Sequence, residues 1–106
     1  MIEIEMNKYP MSLKANAHAT GAGEQGENLV CCAVSTLVLT FCEAIMQAGI
    51  SCIHDVEEGK AIIRVTPRPA KTYEADIIYQ TVATGLSCLA EEYPEYISMK
   101  RGDSDG

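Results

Sequence analysis

His18 stands thirteen residues ahead of two adjacent cysteines, Cys31 and Cys32, with Gly21, Gly23 and Gly26 between them. A thiol attacks a carbonyl only as its thiolate, and a nearby imidazolium or a helix N-terminus favours that anion. Imidazole and thiol together supply a nucleophile and a general acid/base, the minimum equipment for acyl transfer. Neighbouring residues on a helix point about 100° apart, so only one of the two thiols can face the histidine. Glycines and unpaired N–H groups close to it offer an oxyanion hole. The ordinary reading of the same stretch is a surface histidine, a polar loop and small hydrophobes on a buried helix.

Other chemistries fit less well. Zinc needs three or four ligands, and vicinal cysteines with one histidine and no Cys-x-x-Cys pair do not supply them. The glycines lack the GxxxxGK[ST] pattern of a phosphate cradle. A second group, Cys52 and His54 with Asp55, falls in a strand-like stretch and reads as structural. No metal and no cofactor is implied. The net charge of −7 and the acidic pI disfavour a grip on phosphate backbones and suit a basic protein or peptide partner. Five cysteines, an odd number, and no basic stretch followed by an apolar one at the start disfavour a secreted disulfide scaffold, so a reducing cytoplasm is expected. The longest apolar stretch, residues 29–45, is interrupted by Ser35, Thr36, Thr40 and Glu43, so no membrane span is expected.

The elements that must position these groups follow from periodicity. Ile2, Ile4 and Met6 alternate with Glu3, Glu5 and Asn7, the pattern of a strand with one wet face. After a turn at Tyr9-Pro10, Leu13, Ala15 and Ala17 alternate with Lys14, Asn16 and His18, an antiparallel return that leaves His18 at a strand end. Residues 19–28 have no period and read as a mobile loop. Residues 29–48 are apolar on most sides and predict a central helix, with Asn28 as its N-cap and Gly49 at its end. That places Cys31 in the first turn. A hairpin follows around Glu57-Glu58-Gly59-Lys60, stopped by Pro67 and Pro69. Ile78, Val82, Gly85, Leu86 and Leu89 predict a second amphipathic helix over 73–92, with Gly85 allowing close packing. Residues 95–100 read as a last strand and 101–106 as a frayed tail. The order β-β-α-β-β-α-β predicts an α+β fold, a mixed or antiparallel sheet with two helices packed on it, in one domain over residues 1–100.

The segment Ala17-His18-Ala19 with Gly26-Glu27-Asn28-Leu29-Val30-Cys31-Cys32-Ala33-Val34-Ser35 resembles the signature of the bacterial ribosomal-processing cysteine proteases, the Prp family. In that family a Gly-His-Ala stretch precedes a glycine-containing loop and then Gly-x-Asp-Ile/Leu-Val-Cys-Ala-Ala-Val-Ser. The Gly85-Leu86 and Tyr93-Pro94 elements also match, so the resemblance covers nearly the whole chain. It implies a small α+β homodimer that removes an N-terminal extension from a large-subunit ribosomal protein. It implies His18 as general acid/base and Cys31 as nucleophile, because Val30-Cys31 matches the family's Val-Cys while Cys32 stands where the family has Ala. Ser35 matches the signature serine, and Gly21, Gly23, Gly26 and Asn28 fall in the loop expected to open for a peptide and close over it. There are three departures: Ala17 replaces the glycine, the loop is about one residue longer, and Asn28 replaces the aspartate three residues before the cysteine. The last removes a charge, which leaves a second reading: a catalytically weak or inactive member that binds a basic ribosomal segment. A third, redox use of the vicinal thiols, requires a strained disulfide between neighbours.

Overall fold

The computed structural model describes residues 1–17 and 25–102, without the side chains of Ala17, Gln25 and Glu27. Five strands and two long helices follow in the order read from periodicity. They are β1 (Ile2–Lys8), β2 (Met11–Ala17), α1 (Gln25–Gln47), β3 (Ser51–Glu57), β4 (Lys60–Thr66), α2 (Thr72–Glu92) and β5 (Ile97–Gly102), with a short 3-10 turn, Pro69–Lys71, leading into α2. The strands lie in the order β3-β4-β2-β1-β5. Every neighbouring pair is antiparallel except β1 and β5, which run parallel with Ile2 opposite Ile97. The sheet is therefore mixed, and the α+β class stands.

Alternation decides the faces. Ile2, Ile4, Met6, Leu13, Ala61, Ile63 and Val65 are buried beneath the helices. On the opposite face Glu5 lies across from Lys14 on β2 and from Lys100 on β5, so unlike charges meet between strands. The helices close the core with Val30, Val34, Val38, Phe41 and Ile45 from α1 and Ala75, Tyr79, Val82, Ala83 and Leu86 from α2. The Phe41 and Tyr79 rings meet edge to face, centroids 6.4 Å apart. Gly85 allows the two helices to close, since a Cβ there would stand 3.1 Å from Leu37 Cδ1.

Helix α1 begins four residues before the expected start, and Asn28 is inside it rather than capping it. The reason is tertiary. Gly26 sits so close to the chain entering β5 that a Cβ would stand 3.1 Å from Tyr96 Oη. Tyr96 thus packs on the first turn, a contact that works against glycine's poor helix propensity of about 1 kcal/mol. The same helix corrects the expectation that no apolar stretch approaches a membrane span. Asn28–Gln47, 20 residues, is long and apolar enough by composition to cross one, but here its buried stripe forms the core against the sheet. At the other end β5 continues through Gly102, two residues further than the strand read from the sequence, and residues 103–106 lie outside the described residues.

Gly49 ends α1 as expected. It has φ +74°, its N–H donates to Met46 O, and Ile50 N–H donates back to Ile45 O, the paired bonds of a Schellman motif. A Cβ at Gly49 would meet nothing within 4 Å, so only backbone strain opposes a side chain there. Gly49→Ala is expected to lower stability by about 1 kcal/mol, read as a lower urea midpoint at unchanged slope.

Candidate functional site

Cys31 and Cys32 do point different ways. Cys32 is exposed, whereas Cys31 is half-buried and packs against the core. Cys31 opens a stripe down α1 with Val34, Ser35 and Val38, all of which line one groove of about 270 Å³. The other wall is the tip of the β3–β4 hairpin, from Val56 through Glu57, Glu58 and Gly59 to Ala61. Ile2 and Ala15 also line it, and Cys32 does not. The groove is mainly apolar, with Glu57, Glu58 and Lys60 around it, and Leu39 and Val56 remain half exposed on opposite walls.

Of the expected site residues, Cys31 and Ser35 line this groove. Ser35, exposed, lies one turn beyond Cys31 on the groove wall. Asn28 is exposed on α1 one turn before Cys31. Gly26 belongs to the helix and to the Tyr96 contact rather than to a loop. His18, Gly21 and Gly23 lie outside the described residues. The strand that leads to His18 is described: β2 ends at Ala17, paired with Ile2, itself a groove residue.

The earlier helix start changes the electrostatics expected at Cys31. In a helix that begins at Gln25, backbone N–H groups find partners within the helix from the fifth residue on. Cys31 lies a turn deeper, so its backbone N–H is spent inside the helix, and the dipole's influence falls off within the first turn. Among the described residues no group of three or more His, Cys, Asp and Glu side chains is placed to hold a metal ion.

A sequence model of the family described as cysteine protease Prp matches residues 1–98 of the 106. The chain belongs to the Prp family of cysteine proteases. Solved structures agree on the fold. An essential ribosomal processing protease Prp from S. aureus, in complex with a covalently linked product peptide, is similar with a TM-score of 0.77 and 24% identity, covering 95% of this chain and 99% of that one. The same protease with a substrate peptide gives a TM-score of 0.75 at 24% identity, covering 94% and 96%. SMU.848 from Streptococcus mutans gives 0.70 at 24% identity, covering 97% and 93%. No curated protein matches the chain significantly. Cys31, the thiol to which the sequence resemblance points, lines the groove, and Cys32 does not.

The hairpin wall was not legible in the sequence. Its residues lie 25 or more positions from Cys31, and nothing in their types marks them as site residues. The β4–β2 pairing brings them close, with Ala61 opposite Ala15.

Proposed function

We propose that this protein is a cysteine endopeptidase that removes an N-terminal extension from a large-subunit ribosomal protein. The observation that carries the reading is that, in a chain of a cysteine protease family, Cys31 lines an apolar groove and Cys32 does not. Cys31 as thiolate attacks the scissile carbonyl carbon. The tetrahedral intermediate collapses to a thioester as the amine leaves with a proton from His18, and water, deprotonated by His18, then hydrolyses the thioester. A covalently linked product, as named for the S. aureus protease, is what thiol attack leaves behind. The net charge of −7 and the glutamates at the hairpin tip favour encounter with a basic, extended segment. The working state is a cytoplasmic homodimer. Edge strand β3, whose Ile53 is 73% exposed, offers an apolar contact for a second copy.

Asn28 favours a second reading, a binding module with little catalysis, because it stands one turn before Cys31 without the charge that the family pattern carries there. The test is incubation with peptides spanning the N-terminal region of the host's ribosomal protein, read by mass spectrometry. The protease reading expects one cut by the wild type, its loss in His18→Ala, and a rate increase of about threefold to tenfold in Asn28→Asp, from better orientation of the base. A peptide that binds but is cut only by Asn28→Asp would establish the binding module instead.

A further inference from the structure

Two of the remaining thiols are brought together by the fold. Cys42, 5% exposed, faces the sheet from α1, three turns beyond Cys31. Cys52 alone on β3 is not exposed; its neighbours from Ile53 to Glu57 all are. It lies opposite Val65, which is buried beneath the helices, and residues facing each other across antiparallel strands point to the same side. Its thiol therefore points at the helix layer, where α1 packs on β3, and both cysteines join the core cluster. The Cys42 thiol is close enough to that of Cys52 to be influenced by it. They lie ten positions apart in sequence, separated by the end of α1 and the Gly49 turn.

We propose that Cys42 and Cys52 form a reversible disulfide that staples α1 to β3, made by exchange with a small-molecule disulfide. Cys52, the partly accessible thiol, attacks one sulfur of the small disulfide as its thiolate; that S–S bond breaks, one thiolate leaves, and a mixed disulfide remains on Cys52. Cys42 loses its proton to solvent and attacks the Cys52 sulfur, expelling the second small thiolate. The protein gives up two electrons and two protons, and the small disulfide takes both to become two thiols. Burial, with the neighbouring Cys52, pushes the Cys42 thiol above its ordinary value, which makes Cys52 the entry point. Cys32 and Cys88 are exposed, and a disulfide between Cys32 and its vicinal neighbour Cys31 would be strained. The staple ties the helix that carries Cys31 and Ser35 to the hairpin that carries Val56 to Gly59, so it joins the two walls of the groove. Its formation does not depend on the protease reading.

The experiment uses the full chain carrying Cys31→Ser, incubated with oxidised glutathione under native conditions, quenched with N-ethylmaleimide and mapped by non-reducing peptide mass spectrometry. The expected result is one cross-linked pair containing Cys42 and Cys52, reversed by dithiothreitol. A rise in Tm of about 10 °C accompanies it, since a short closed loop constrains the unfolded chain. Cys52→Ser should abolish both, leaving Cys42 unmodified, and Cys42→Ala should stop the reaction at a glutathione adduct on Cys52. A stable adduct on Cys52 with Cys42 intact, or both thiols free while Cys32 and Cys88 react, would overturn the proposal.

Discussion

Cys31→Ala is expected to lower kcat/KM for cleavage of the ribosomal peptide by at least about 10⁴-fold, roughly 5.5 kcal/mol of transition-state stabilisation. Cys32→Ala should change it less than about threefold. The contrast follows from orientation: Cys31 lines the groove with Val34 and Val38, whereas Cys32 is exposed on another side of the same turn. The Cys32 backbone carbonyl accepts from Thr36 Oγ1 at 3.0 Å, and alanine keeps that bond. Steady-state cleavage of one peptide by the three proteins, each checked for native secondary structure, reads the difference. Equal loss in both variants would show that the pair acts together and that the groove does not select the nucleophile.

Phe41→Ala carries the largest expected effect on stability, a loss of about 3–5 kcal/mol. Phe41 is fully buried at the junction of the two helices, and its edge-to-face contact with Tyr79 disappears with the ring. A domain of this size has about 5–15 kcal/mol in all, so the variant should be partly unfolded at ordinary temperature. Leu29→Ala, on the same helix but 68% exposed, should stay within about 0.5 kcal/mol of the wild type. Denaturant titrations of both variants test this. Cleavage should fall with the folded fraction, because Phe41 holds in place the helix that carries Cys31.

Much of this architecture was legible from side-chain period alone. Ile2, Ile4 and Met6 announce β1, the turn at Glu58-Gly59 announces the hairpin, and Gly49 marks the end of α1. What failed to show was set by contacts between distant segments. The start of α1 depends on Tyr96 meeting Gly26, seventy positions away, so a glycine-rich stretch that reads as loop is helical from Gln25. The parallel pairing of β5 with β1 leaves no trace in either strand's own pattern. At the site, the family signature pointed to Cys31, and alternation along α1 separates it from Cys32. The groove's second wall and the meeting of Cys42 with Cys52 required the strand order, which local patterns do not encode.

Acid-quenched mass spectrometry of the wild-type protein mixed with a peptide spanning the ribosomal extension, with any acyl group located by fragmentation, tests Cys31 as the nucleophile most directly. A transient thioester on Cys31 carrying the N-terminal fragment is expected, formed no slower than the cut itself. An acyl group on Cys32, or a cut that proceeds at the wild-type rate in Cys31→Ala, would contradict it.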